Sequence, residues 1–382
     1  MKKILPFISL CLMVSFTACK KNDTPVGSDQ LREQEFQKIL SETKSKSPAP
    51  AIMLAVARPS KNWQWSGAIG KANIGANEAA SIAHRWRVAS VTKMFTAVSI
   101  MLLVEENKIS LDDNISLHLT SGIMAKISSR VPNANTIKVR NLLNHTSSLG
   151  EYTGTIEFLN LFPNLNSAPT REQVIDIGIQ KSPVGTIGKW YYSNTGYSLL
   201  SLIIEKVSGK PYRLFVKERI LDPLKMNNSY FPNDEFMIKP FLTPYFTTTP
   251  PVTEQNNFAT FNCNWGIGTG DLVSSLADLQ TFMQAMMQGK IVSNQSIQIM
   301  QNNGVQSTYT GLPSETYGLG LIQSDVASFI GHPGTLFGIA TNVFYLKSID
   351  TYIVTAINLN DQEQEVIDMI AKVKEWIEIN DK

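Results

Sequence analysis

The chain has 382 residues, of which 43% are hydrophobic and 17% charged, with a formal net charge of +2. That is ordinary globular chemistry, rich enough in apolar residues for a large core and without the basic excess of a nucleic-acid partner. Three cysteines, four histidines and no CxxC or HExxH pattern give a metal site no support, and no cofactor is expected.

The first residues read as a processing signal. Lys2 and Lys3 form a positive start, and Ile4 to Phe16 is an apolar run too short to span a bilayer comfortably. Thr17 and Ala18 then precede Cys19, an arrangement that resembles a bacterial lipoprotein cleavage box with Phe16 where Leu is usual. The resemblance implies that residues 1–18 are a signal peptide, that Cys19 carries lipid and that the product is an exported protein anchored to the cell envelope by its membrane lipid. Residues 19–30 are polar with Pro25 and Gly27, and are expected to form a tether. Removing residues 1–18 takes two lysines and no acids from the 34 basic and 32 acidic residues, so the remaining charge is balanced. Cys11 leaves with the signal, Cys19 is lipidated, and the remaining Cys263 is expected to pack as a small hydrophobe.

In chain order, Ser28 is a candidate cap for a helix reaching about Leu40. Ala51 to Ala57 is a buried strand with a hairpin partner over Trp63 to Ile69, and Arg85 to Ala89 is another short strand. Ser90 opens a strongly apolar helix carrying Phe95, Val98, Ile100, Met101, Leu102 and Leu103, which is expected to be central. Helical segments follow around 138–145, 171–180, 195–207 and 211–221, the third capped by Ser193 or Asn194, and then a long irregular loop over 231–262. Leu276 to Gln288 is a helix. Tyr317–Ile322, Gly338–Tyr345 and Tyr352–Asn358 are strand-like, and an amphipathic helix capped by Asp361 closes the chain.

Strands at both ends and helices between them predict an α+β fold. An antiparallel sheet is flanked by the first and last helices, and an all-helical domain is inserted. The α/β domain takes 31–108 and 265–382, the helical domain takes 109–264, and the site falls in the cleft between them.

A serine hydroxyl is a weak nucleophile until a base takes its proton, and a lysine at i+3 on the same helix face can do so. Ser-x-x-Lys is expected about once by chance in a chain this long. It occurs at Ser41–Lys44, in a charged and solvated stretch, and at Ser90–Lys93, where a strand meets a buried helix. Burial would lower the Lys93 pKa and make it a base. Tyr192-Ser193-Asn194 offers a phenol and an amide at a loop-to-helix boundary, and a tyrosine beside a lysine ammonium ionises more easily. Gly331-His332-Pro333-Gly334-Thr335 lies between strand-like runs, with glycines that let a substrate backbone approach a strand edge. His145 is expected to hold the loop before the cleft. No G-x-S-x-G is present for a Ser-His-Asp enzyme.

SVTK, YSN and HPG, in that order, resemble the three signatures of the serine β-lactamase and penicillin-binding-protein superfamily, in the branch of class C β-lactamases, D-alanyl-D-alanine carboxypeptidases and related esterases. WRVASVTKMFTAVSIMLLVEENKISLDD, IKVRNLLNHTSSL and GTGDLVSSLADLQTFM are similar to the family's flanks, and the resemblance spans roughly residues 30 to 360. It implies that Ser90 attacks a carbonyl, Lys93 and Tyr192 relay its proton, and the N–H groups of Ser90 and Thr335 hold the oxyanion beside Gly334. It further implies that Asn194 contacts the substrate amide or Lys93, and that His332 donates near Tyr192 and the leaving group. His332 stands where typical β-lactamases have a lysine, and Pro333 where many members have a hydroxyl residue. Both changes weaken recognition of a substrate carboxylate.

The expected activity is that of an acyl-enzyme hydrolase on cell-wall D-amino-acid peptides or on small esters and amides, working as a monomer. The alternatives are a β-lactamase of weak turnover and a penicillin or muropeptide receptor that acylates without turning over.

Overall fold

The computed structural model describes residues 28–167, 169–232, 237–311, 314–360 and 363–381. The expected signal peptide, Cys19 and the tether up to residue 27 lie outside them, as does Asp361, the expected cap of the last helix. The tether expectation ran three residues too far. Ser28, Asp29 and Gln30 already belong to helix α1 (Ser28–Lys46), which runs past Leu40 and takes Ser41 and Lys44 on its outer side.

The strands are β1 (Ala51–Arg58), β2 (Trp63–Asn73), β3 (Glu78–Ala79), β4 (Trp86–Arg87), β5 (Val273–Ser274), β6 (Val305–Gln306), β7 (Glu315–Tyr317), β8 (Ile322–Ser324), β9 (Phe329–Leu336), β10 (Ile339–Leu346) and β11 (Thr351–Ile357). Among the described residues, nine form one antiparallel sheet in the order β3-β2-β1-β11-β10-β9-β8-β7-β6, and β4 pairs with β5 outside it. The first and last parts of the chain meet at the centre, where Ile52 of β1 faces Ile357 of β11. Every residue of β1 and β11 is buried, because both faces of the sheet are covered there.

Phe36 and Leu40 of α1 and Val366, Met369 and Val373 of α11 (Glu363–Asn380) cover one face. The other is covered by α2 (Thr92–Glu105) and α9 (Leu276–Met287), where Phe95 stacks on Phe282 with ring centroids 3.7 Å apart. All residues of α2 from Thr92 to Leu103 are buried, which explains a helix apolar on nearly every side.

Between α2 and β5 run α3 (Ser121–Ser128), α4 (Val139–Leu143), α5 (Ile156–Leu159), α6 (Arg171–Gln180), α7 (Asn194–Ser208) and α8 (Tyr212–Val216). The last helix before α11 is α10 (Asn294–Asn302). This is the mixed fold expected of the chain: a large antiparallel sheet between terminal helices, with helices inserted in the middle.

Two strand expectations are corrected. Tyr317–Ile322 is not one strand. It is the turn between β7 and β8, because Gly318 and Gly320 break the run and Gly320 adopts φ +75°. The His332-Pro333-Gly334 segment does not lie between strands; it lies inside β9. β8 pairs only with Phe329, Ile330 and Gly331, so from His332 onward β9 has β10 on one side and no strand on the other. A proline and a glycine are tolerated on such an edge, and they keep it open.

The Phe95–Phe282 stack is the fully buried aromatic contact between α2 and α9. Phe282→Ala is expected to lower unfolding free energy by about 3–5 kcal/mol. Urea denaturation followed by tryptophan fluorescence measures this, and an unchanged midpoint would show that the stack does not hold α2 in place.

Candidate active site

Ser90 sits in a 3-10 turn, Ala89–Val91, that leads into α2. Ala89 takes φ +52°, a left-handed conformation that costs a non-glycine residue about 1–2 kcal/mol. That strained residue reverses the chain between β4 and α2 and leaves Ser90 partly exposed at the bottom of a cleft.

One turn on, Lys93 is fully buried, and its Nζ donates to Ser90 Oγ at 3.1 Å and to the Thr269 carbonyl at 3.0 Å. It lies over the ring faces of Tyr192 and Tyr197, at 5.0 and 5.5 Å from their centroids. Burial brings its pKa down to about 7, with Glu151 opposing the shift.

The Thr269 carbonyl is held in place by its neighbours. Thr96 of α2 donates to Gly268 O at 2.7 Å, and buried Asp271 accepts from Gly268 N at 3.3 Å and from Arg213 Nε at 3.0 Å. GTGD was legible as a flank of the signatures, but nothing in it marked Thr269 as the acceptor for Lys93.

Tyr192 donates to Ser90 Oγ at 2.8 Å. Hydroxyl, amine and phenol therefore meet, as the three signatures imply. The expectation that Tyr192 ionises easily is not met. Desolvation pushes its pKa well above 10, and a lysine that is itself half neutral near pH 7 supplies little opposing charge. Tyr192 is a phenol that donates, not a phenolate.

The YSN segment is stitched to residues 145–151. Ser193 N–H donates to His145 Nδ1 at 3.1 Å, Ser193 Oγ to Gly150 O at 3.0 Å, and Thr195 Oγ1 to the same carbonyl at 2.7 Å. His145 thus holds the loop, as expected, with its ring 4.4 Å from that of Tyr192. Ser193 is the cap of α7. Asn194 faces the cleft, but its side chain donates to Glu151 Oε1 at 3.0 Å and its N–H to Glu151 Oε2 at 2.6 Å. Glu151 is a site residue that sequence reasoning missed, since one acid after a quoted flank carries no distinguishing signal.

His332 departs from its expected place. It is fully buried on the α2 face of the sheet, with Nδ1–H donating to the Pro333 carbonyl and Nε2 accepting from Tyr317 Oη at 2.8 Å. A carbonyl only accepts, so the proton sits on Nδ1. Burial takes its pKa down to about 3, so it is neutral at any ordinary pH. Both nitrogens are engaged inside the protein, and neither donates at Tyr192.

Gly334 is where β9 meets the nucleophile turn. A Cβ on it would stand 2.5 Å from Val88 O, 2.9 Å from Ser90 N and 3.0 Å from Val91 N, all backbone atoms. Only glycine lets the strand edge come this close. Thr335, next along, is exposed and lines the same cleft as Ser90. The cleft has a volume of about 260 Å³, and Ser90, Asn194, Phe246, Trp265, Thr335 and Phe337 are among its walls. Cys263 is buried among the aromatic residues behind Trp265 and Phe261, as a small hydrophobe would be. Among the described residues no cluster of His, Cys, Asp and Glu could hold a metal ion, and no helix is long and apolar enough to cross a membrane.

The beta-lactamase family model matches residues 36–375. A penicillin-binding protein of Bacillus subtilis (strain 168) is 29% identical over 245 residues, which is 59% of this chain and 51% of that protein. Protein flp of Staphylococcus aureus (strain MW2) is 24% identical over 86% of this chain and 64% of its own length. The matched region spans about half to two thirds of these relatives. Among solved structures, a D-stereospecific amidohydrolase from Streptomyces sp. superposes with a TM-score of 0.75 and 27% identity, covering 88% of this chain and 97% of that one. The D-amino acid amidase of Ochrobactrum anthropi SV3 shares the fold, with a TM-score of 0.79 at 23% identity over 92% of this chain and 99% of that one. With a family model over most of its length, SVTK and YSN meeting at the Ser90 hydroxyl and the HPG strand packed against the Ser90 turn, this chain belongs to the beta-lactamase family.

Proposed function

We propose that this protein is a serine hydrolase that forms an acyl-enzyme on Ser90 and cleaves amides or esters whose acyl part is bulky and carries no carboxylate, D-amino-acid derivatives in particular. The observation that carries the reading is the convergence of Lys93 Nζ and Tyr192 Oη on Ser90 Oγ at 3.1 and 2.8 Å.

With Lys93 neutral, the Ser90 proton passes to Nζ as Oγ bonds to the substrate carbonyl carbon. The carbonyl oxygen becomes an oxyanion beside the backbone N–H groups of Ser90 and Thr335. Tyr192 gives its phenol proton to the leaving nitrogen or oxygen, the Lys93 ammonium restores it, and the bond to the leaving group breaks. Water then attacks the ester on Ser90 by the same route in reverse.

The cleft speaks for the substrate class. Phe246, Trp265, Leu336 and Phe337 give it large apolar walls, and none of its described lining residues is a lysine or arginine. A free substrate carboxylate would have no cation to pair with there, and an unpaired buried charge is costly. That disfavours a C-terminal carboxypeptidase and favours amides and esters. The names of the Streptomyces amidohydrolase and the Ochrobactrum amidase support an amide reading with D stereochemistry. The lipid anchor on Cys19 belongs to the same proposal and would place the activity at the cell envelope.

Mass spectrometry of the intact protein with D-phenylalanine amide, D-Ala-D-Ala peptides, penicillin and a fluorophosphonate tests the reading. A single adduct on Ser90, lost in Ser90→Ala, and turnover of the amide above the dipeptide are expected. One equivalent of penicillin adduct with no turnover of any substrate would make the chain a receptor instead.

Two further outcomes follow from the geometry. The base must hold a free lone pair, and the Lys93 ammonium loses its proton at about pH 7. The acylation rate is therefore expected to rise about tenfold per pH unit below 7 and to level off above it; a flat profile from pH 5 to 9 would remove Lys93 as the base. Gly334→Ala is expected to slow acylation about 100-fold by pushing β9 off the Ser90 turn. Stopped-flow labelling measures this, and an unchanged rate would mean that the strand edge does not shape the site.

A further inference from the structure

A second cavity, of about 220 Å³, lies on the face of the sheet turned away from Ser90. Strand register builds its floor. β9 and β10 pair Phe329 with Leu346, Pro333 with Asn342 and Thr335 with Ala340. Partners in an antiparallel pair send their side chains to the same face, and here that face is the one under α11, where Phe329 and Leu346 join its cluster. Gly334, between Pro333 and Thr335, turns the other way, onto the Ser90 turn. Over the floor α11 lays Ile367, Ile370 and Lys374, beside the row of Val366, Met369 and Val373 that seals the sheet. Ala327, Ala340 and Ala371 are too small to close the gap between floor and helix.

Two observations tie this cavity to the reaction. Thr335 lines it and also lines the cleft that holds Ser90, so the two spaces meet at the free edge of β9. Tyr309 is another of its walls, and the Tyr309 ring stacks on that of Tyr192, centroids 4.6 Å apart and 27° from parallel. Tyr309 comes from an irregular segment, but the wall is pinned. Fully buried Glu315 of β7 accepts the N–H groups of Tyr309 at 2.7 Å and of Thr310 at 2.8 Å.

The stack decides which part of a substrate the cavity receives. In the proposed reaction Tyr192 protonates the leaving atom, so the leaving group departs on the side of Tyr192 and Tyr309. The acyl part stays in the cleft, against Trp265, Phe246 and Phe337. We propose that the cavity under α11 is the leaving-group subsite, and that it takes amines and alcohols bearing an aromatic or branched apolar group. This rests on the acyl-enzyme reading above. The bond that breaks joins the acyl carbon to the leaving nitrogen or oxygen. That atom takes its proton from Tyr192, and the Lys93 ammonium restores it. An apolar cavity of about 150 Å³ takes benzene, so a phenyl ring fits this one. Lys374, the charged residue in its wall, is paired with Glu378 on the helix surface, so carbon and not charge is what the cavity offers.

The test compares two leaving groups on one acyl part, D-phenylalanine amide and D-phenylalanine N-benzylamide. The wild-type kcat/KM is expected to be at least about tenfold higher for the benzylamide, because the ring leaves water on binding. Ile367 is 39% exposed at the mouth of the cavity, so Ile367→Trp can fill it without opening the core. In Ile367→Trp the ratio of the two kcat/KM values is expected to fall about tenfold. Ile370→Trp, which fills the same space from the next turn, is expected to do the same. The ratio does not depend on how much of either variant is folded. A ratio within twofold of wild type in both variants, or a wild-type protein that is labelled on Ser90 by a fluorophosphonate yet shows no preference for the benzylamide, overturns the subsite and leaves the acyl-enzyme reading standing. A wild-type protein that is never labelled on Ser90 overturns that reading, and the subsite with it.

Discussion

The structure depends on burying one amine without giving it a carboxylate to pair with. Lys93 has no exposed surface, its acceptors are a hydroxyl and a backbone carbonyl, and two tyrosine rings flank it. An ammonium moved from water into such a place costs several kcal/mol, more than two neutral hydrogen bonds and two ring faces return. The protein escapes the cost by letting the amine go neutral near pH 7, which is what the proposed role as a base requires. The apolar length of α2, the sheet on one side of it and the inserted helices on the other are what keep water away. A looser core would return the amine to its ordinary pKa and leave Ser90 an inert alcohol.

A second constraint is a backbone contact with no side chain to soften it. The free edge of β9 meets the Ser90 turn at Gly334, and the turn is bent by a left-handed Ala89. The stability given up at Ala89 is small beside a domain-sized core, and it aims the hydroxyl at the strand edge. Because β8 pairs with β9 only as far as Gly331, the edge beyond it has no strand beside it and could take a substrate backbone in the proposed reaction. Register in the sheet and geometry in the site are therefore one matter: lengthening β8 by a few residues would pair off the edge on which a substrate could lie.

The sequence made the architecture legible where local pattern and tertiary role agree. β2 starts where expected but runs four residues past Ile69, while β1, α2, α6, α7, β10 and β11 follow from apolar periodicity and turn residues within a residue or two. So does the trio of Ser90, Lys93 and Tyr192, since signatures far apart in the chain must meet to have any joint meaning. Pattern failed where a neighbour decides. A proline and two glycines within four residues place 331–334 between strands, yet β10 holds them in one. The direction of His332 depends on Tyr317, which arrives from another strand, and no spacing rule reveals that. The acidity of Tyr192 was misjudged for a related reason: the argument assumed a charged lysine beside it, and the burial that makes Lys93 useful also removes that charge. Glu151 carries no mark of a site residue in the sequence, because a half-buried carboxylate serving four backbone or side-chain donors looks there like any surface acid.

These corrections give the site a different electrostatic character from the one the signatures suggest. Lys93 can be neutral, His332 is neutral, and Tyr192 keeps its proton. The acid that bears on Lys93 is Glu151, whose oxygens accept from Asn194 and Thr153. A site with so little fixed charge cannot select a substrate by ion pairing, and it would repel a carboxylate placed near Glu151. Selection is left to the aromatic and aliphatic walls of the cleft and to the hydrogen-bonding edge of β9, which suits an acyl group with a large side chain and no carboxylate. His332 stands where typical β-lactamases have a lysine, and a buried, neutral imidazole cannot take over carboxylate binding. With no lysine or arginine among the described lining residues of the cleft, the proposed relay rests on Lys93 and Tyr192, the two groups that reach the Ser90 hydroxyl.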